Sequence, residues 1–451
     1  MTMLKYGYFT AHPCALPLAL ALTLGASCAN AAEAFDPDSP WMLGDWGGSR
    51  SDLARRGVDL DLEYVGEIGA NLGGGYNPDR TARYSDQYSL GAHFDLQKLL
   101  GWSDAELQLS IADRNGDNIS NDRIGDPRVG TLSSSQEVWG RGSHWRMTQA
   151  WYQQKFLDRR LDIKLGRFGE GEDFNSFVCD FQNLTFCGSQ VGNWGAIWYN
   201  WPVQQWGLRV KYHLTPELYA QVGAFEQNPS NTEPGNGFKL SGSGTQGAVL
   251  PVELVWQPTL AGLPGEYRLG YYYSTAKAKE VYKDHNGEPA VLSGEAYRSA
   301  SSKHGLWFGV QQQITGSGGA NPRGLSLFSM ATLHDRKTNK VDRYVSVGAV
   351  YKGLFDARPQ DDLGLAISQI HVNPDYRRNS EAINRANAVE DYEDPNYLPI
   401  QDTEYNAELY YGVHVTRWLT VRPNLQYVRH PGGVSHVDDA WVGGLKVQAA
   451  F

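Results

Sequence analysis

Residues Trp441 to Phe451 read W-V-G-G-L-K-V-Q-A-A-F. Every second residue, Trp441, Gly443, Leu445, Val447, Ala449 and Phe451, falls on one face of an extended chain, and Val442, Gly444, Lys446, Gln448 and Ala450 fall on the other. The first face is apolar with an aromatic ring at each end, while the second carries a lysine and a glutamine. A strand that crosses a bilayer needs about 9 to 11 tilted residues, apolar toward lipid, aromatic at both interfaces and polar toward a lumen. The segment meets each requirement. The competing reading is an amphipathic strand of a soluble sandwich, and the rest of the chain decides between the two.

Composition favours the barrel. The 451 residues include 50 Gly, 25 Tyr and 14 Trp but only 5 Met, and mean hydropathy is −0.46. Such a length holds two soluble domains or one large barrel. Low hydropathy with 12% aromatic residues suits a barrel, because only one face of each strand meets lipid. At the N-terminus, Lys5, an apolar run from Ala15 to Gly25 and the box Ala29-Asn30-Ala31 read as a secretory signal peptide over residues 1–31. Beyond it no window of about 18 apolar residues occurs, which excludes a helical membrane protein. Export leaves Cys179 and Cys187, which are expected to form a disulfide. No further Cys or His stands at ligand spacing, so neither a metal nor a cofactor is expected. The run Asp113 to Asn118 lacks the glycine of a calcium loop at its sixth position and has Ile124 where the bidentate Glu belongs. No G-x-S-x-G elbow or other catalytic constellation appears, so the protein is not expected to be an enzyme. A formal charge of −10 argues against nucleic acid as a partner.

Residues 32–57 contain Trp41-Met42-Leu43-Gly44-Asp45-Trp46-Gly47-Gly48-Ser49-Arg50, followed by Leu53 and Gly57. Ser49 is placed to cap a short helix that Gly57 ends. The motif resembles the mature start of the OprB family of carbohydrate-selective porins, and the resemblance continues along the mature chain. It implies an outer-membrane location and passive, selective diffusion of small sugars such as glucose. The closing Phe451 is similar to the terminal residue of bacterial outer-membrane barrels, which implies engagement of the barrel-assembly machinery. Lipid and lipopolysaccharide are the surrounding partners, and the assembly is a monomer or a homotrimer.

From Val58 the period-two pattern places about sixteen antiparallel strands over residues 58–451, an all-β transmembrane barrel behind a short periplasmic helical segment. The ending of the last strand on the periplasmic side requires the first to rise outward. Long connections then follow odd strands and short ones follow even strands. Residues 169–203 form the third outer loop, expected to fold into the lumen as a constriction stiffened by the disulfide. Inward parity collects Asp61, Glu63, Glu106, Arg160, Lys164, Arg209, Lys211, Arg268, Arg422 and Lys446, with Trp151, Tyr272 and Trp307, while the loop adds Trp194, Trp198 and Trp201. Fixed carboxylates and guanidiniums can replace the water shell of a sugar, and aromatic rings can stack on its apolar faces. Removing Lys164 or Arg209 is expected to raise cation preference. The alternative is a general or organic-anion-selective porin, since the same bases attract anions.

Overall fold

The computed structural model describes residues 32–177, 179–195, 198–316, 318 and 323–451. The expected signal peptide lies outside the described residues. Sixteen strands form one closed antiparallel barrel: β1 Val58–Gly75, β2 Ala82–Asp95, β3 Ala105–Gly116, β4 Arg146–Phe156, β5 Leu161–Phe168, β6 Gln205–His213, β7 Leu218–Gln227, β8 Gly247–Trp256, β9 Leu263–Ser274, β10 Lys303–Gln313, β11 Gly324–His334, β12 Val341–Lys352, β13 Asp362–Val372, β14 Thr403–His414, β15 Leu419–Arg429 and β16 Asp438–Ala450. A two-residue strand, Thr259–Leu260, only widens one turn. Closure is made by β1 against β16, from Glu63 opposite Ala450 to Gly75 opposite Asp438. The barrel sheet therefore has no free edge. The first outer loop is short, because β1 runs on to Gly75 and β2 begins at Ala82.

The outer face is apolar in the middle, with exposed Leu165, Leu208, Val252 and Leu365. Exposed rings border it at both ends, among them Tyr84, Trp206 and Trp441 toward the long loops and Phe156, Trp256 and Phe355 toward the short turns. Inside, large rings lie over glycines of the adjacent strand. A Cβ on Gly270 would stand 2.1 Å from the Trp307 indole, and one on Gly364 would stand 2.2 Å from the Tyr410 ring. Strand glycines are therefore seats for inward aromatic rings.

The segment ahead of β1 clasps the closing seam at the short-turn end. The helix Ser49–Arg56 ends at Gly57, with φ 99°. Ser49 is its first residue and not its cap: the Asp45 carboxylate instead accepts from the Ser51 N–H at 2.7 Å. The Arg50 guanidinium, 4% exposed, donates to the carbonyls of Leu60 and of Phe451 and lies 4.2 Å from the Trp41 ring centroid. Met42 N–H adds a bond to the Ala450 carbonyl at 2.8 Å. Arg50→Ala removes two charge-assisted bonds to part-buried carbonyls and is expected to cost about 2–3 kcal/mol. A lower unfolding temperature in heat-dependent gel migration, with unchanged conductance, is the expected readout.

Candidate functional site in the barrel lumen

Two long loops, residues 117–145 and 169–204, fold into the barrel, where only the second was expected. Inward carboxylates of the wall hold their backbones. Glu404 on β14 accepts from the N–H groups of Leu132 and Ser133 at 2.8 and 3.0 Å, and Glu408 from those of Gln182 and Asn183 at 2.8 and 2.7 Å. Glu253 on β8 accepts from Asn175 N–H at 3.0 Å, and Glu67 on β1 from Val138 N–H at 3.2 Å. A buried carboxylate without donors would be costly, and the unpaired N–H groups of an inward loop satisfy it. The loops also bind each other, with Glu137 N–H donating to Gln182 O at 3.0 Å and Leu184 N–H to Ser134 O at 2.9 Å. The Cys179–Cys187 disulfide closes the part of the third loop that carries these contacts. Glu253, Glu404 and Glu408 carry the inward parity that would have flagged them in the sequence.

The sequence-predicted residues separate into three groups. Lys164 and Arg209 anchor the third loop: Lys164 meets Glu172 at 2.9 Å and Asp173 at 3.0 Å, and Arg209 meets Asp162 at 2.9 Å and Asp173 at 3.4 Å. Lys446, 1% exposed, bridges Glu137 at 3.2 Å and Glu67 at 3.6 Å. The expected aromatic lining is an anchor as well. Trp198, Tyr272 and Trp307 are fully buried in one cluster, with Trp198 and Trp307 centroids 5.6 Å apart and Trp307 Nε1 donating to Glu253 at 2.7 Å. Trp151 packs on that cluster beneath the Lys164 ammonium. The rings of Trp198, Tyr272 and Trp307 cannot stack on a solute, because the loop has covered them, while Trp151 stays half-buried. A second group sits at the short-turn mouth: Asp61 beside Gln108, Glu106 bound to Lys155 at 3.1 Å, and Lys211 over Tyr219. Arg160 departs from its expected place. It precedes β5 in an exposed turn and lies over the outward ring of Tyr212, so the strand parity does not reach it.

The third group, Glu63, Arg268 and Arg422, lines a cavity of about 700 Å³ between the third loop and the short-turn end. Trp201 and Phe177 of the loop contribute rings, and Trp201 Nε1 donates to Gln87 at 2.8 Å. Arg268 pairs with Glu266 at 2.7 Å and with Glu253 at 3.1 Å, and Arg422 pairs with Asp180 at 3.1 Å. In each cavity pair the arginine is 7% exposed and the carboxylate, Glu266 or Asp180, 31% exposed. The water therefore meets acceptor oxygens backed by guanidiniums.

Loop carboxylates are tuned by the same packing. Burial pushes the Glu170 carboxyl well above its ordinary range, where Tyr199 N–H and Gln205 hold it. Burial works in the same direction on Asp173, but Lys164, Arg209 and Lys211 outweigh it and hold that carboxyl below its ordinary value. Glu137 is likewise lowered, as Lys446 and Arg114 overcome its burial.

A closed sixteen-stranded barrel with a lipid-facing apolar band and loops narrowing a polar lumen defines a porin of the bacterial outer membrane. The chain belongs to the OprB family of carbohydrate-selective porins, whose profile, "Carbohydrate-selective porin, OprB family", matches residues 79–451. Porin B of Pseudomonas aeruginosa is 63% identical over 434 residues, 96% of this chain and 95% of that one. The putative porin QuiX of Acinetobacter baylyi is 40% identical over 445 residues, 97% of this chain and 99% of its own. The high-pH structure of Pseudomonas putida OprB superposes with a TM-score of 0.91 at 65% identity, covering 93% of this chain and all of that one. The protein is a sugar porin and not an enzyme.

Proposed function

We propose that selectivity for neutral sugars is exerted in the 700 Å³ cavity by the carboxylates of Asp180 and Glu266, with Arg422 and Arg268 behind them. The observation that carries this reading is their exposure, 31% for each acid against 7% for each arginine. Sugar hydroxyls donate to the exposed oxygens, and charge-assisted bonds of this kind exceed neutral ones. The Trp201 and Phe177 rings offer apolar faces to a pyranose. An anion would meet negative charge first, which disfavours the organic-anion alternative. No energy source is coupled, so flux follows the gradient. In the same reading residues 1–31 are the export signal, residues 32–57 clasp the seam in the periplasm, residues 169–203 form the constriction, and Phe451 presents the last strand to the barrel-assembly machinery.

The test is single-channel recording with glucose and gluconate. Glucose is expected to block the wild-type pore and gluconate to leave it open, and Asp180→Asn with Glu266→Gln is expected to weaken glucose block about tenfold or more. Unchanged glucose block in the double variant, or stronger block by gluconate in the wild type, defeats the proposal.

A further inference from the structure

Basic residues, four of them outside any ion pair among the described residues, gather on one sector at the long-loop end of β9 to β12. On β9 the alternation that turns Leu269, Tyr271 and Tyr273 outward continues past the strand: Thr275, Lys277 and Lys279 are exposed, while Ser274, Ala276 and Glu280 are buried. Exposed His304 stands opposite Tyr273 on the neighbouring strand, and exposed Arg343 stands opposite outward Leu333. Arg336 and Lys337 are exposed at the tip of the β11–β12 hairpin. Val281 N–H donates to the Lys337 carbonyl at 2.7 Å, which ties that tip to the segment carrying Lys277 and Lys279.

The acids of this sector are already engaged. Glu280 pairs with Arg298 at 2.8 Å, Asp342 with His371 at 2.6 Å and Arg336 at 3.5 Å, and Asp335 accepts from Thr338 and Asn339. The exposed Glu288 and Glu295 lie further along, between the paired loop strands Ala278–Asp284 and Tyr297–Ala300. Among the described residues, Lys277, Lys279, Lys337 and Arg343 form no ion pair. In a chain of formal charge −10 this sector is locally cationic, whereas the corresponding end of β16 carries Asp438 and Asp439.

We propose that this sector is a binding surface for the phosphorylated head group of lipopolysaccharide. His304 and Arg343 share the outward face of Tyr273 and Leu333, and the exposed Lys277 and Lys279 continue the outward parity of β9, beyond Leu269, Tyr271, Leu306 and Phe308 on the lipid-facing wall. A ligand that fits carries acyl chains below and phosphates above, and the lipid of the outer leaflet has that form. Ammonium and guanidinium groups at an anionic lipid surface add to affinity roughly charge by charge and lose their effect with salt.

Native mass spectrometry of the folded barrel, titrated with bisphosphorylated lipid A, dephosphorylated lipid A and phosphatidylglycerol, tests this. Wild type is expected to hold bisphosphorylated lipid A in preference to both others. The variant with Lys277, Lys279, Lys337 and Arg343 each replaced by Gln is expected to bind it at least about tenfold more weakly, with wild-type conductance and heat-dependent migration. Lys277→Gln with Lys279→Gln, outside the barrel ladder, is expected to show a partial loss, and Asp438→Asn none. Equal retention by the quadruple or the double variant overturns the proposal. So does equal binding of dephosphorylated lipid A or of phosphatidylglycerol.

Discussion

Lys446→Met is expected to open the pore without opening the barrel. The Lys446 ammonium ties three elements together: Glu67 on β1, Glu137 of the second loop, and the carbonyls of Phe181 at 3.1 Å and Cys179 at 3.4 Å on the third loop. Methionine matches its length but leaves Glu67 and Glu137 buried with Arg114 as the remaining cation near Glu137, at 3.9 Å. Breaking a buried charge cluster in this way costs about 3–5 kcal/mol. The cost falls on the loops, since the strand ladder on both sides of Lys446 uses backbone bonds alone. Conductance is expected to rise and amide exchange in residues 131–145 and 179–187 to accelerate, while exchange in the strands holds. Adding Glu137→Gln removes one orphaned charge and is expected to restore part of the loop protection. Wild-type conductance and exchange in Lys446→Met would show that the loops are held without it.

The wall was legible because a membrane barrel repeats one rule. Lipid on one face and water or polar loop on the other impose a period of two on every strand, and the segment read as a strand from Trp441 lies within β16, Asp438–Ala450. Parity also turned Lys164, Arg209, Trp307 and Lys446 inward. What they meet there was not legible, because that depends on the path of loops whose backbone is bound by Glu253, Glu404 and Glu408 from distant strands. Lys164 and Arg209 therefore act as loop anchors, and their removal would disturb the constriction before it altered ion preference. The second loop escaped notice because its polar composition fits an outer loop equally well. Its inward path shows only in contacts such as Ile119 and Ile124 against Val428 and Val442. The glycines opposite inward rings, Gly270 with Trp307 and Gly364 with Tyr410, were a usable signal: a residue without a side chain at an inward position marks where a ring lies across the wall.

Asp173 sets the acid limit of the third loop. Its carboxylate stands between the cations of two neighbouring strands, with Lys164 at 3.0 Å and Arg209 at 3.4 Å. Its backbone carbonyl accepts from Gln221 at 2.8 Å, so the residue is fixed by more than its charge. Because the folded carboxyl lies below the ordinary value of 3.8, its contribution is complete above that value. It is lost as pH falls through the lower, folded one. Glu137, lowered from 4.5, acts in the same direction on the second loop. The wild-type channel is therefore expected to keep a steady conductance down to about pH 4 and to become noisy and wider below it. Asp173→Asn preserves shape but leaves Lys164 with Glu172 and Arg209 with Asp162, and is expected to weaken third-loop anchoring by about 3 kcal/mol. The variant should be noisy already at neutral pH and should show a smaller further change on acidification. Recordings between pH 7 and pH 2.5 decide the matter. A variant as quiet as wild type at neutral pH, with the same acid transition, would place the anchor elsewhere, on Glu253 and the aromatic cluster around Trp198.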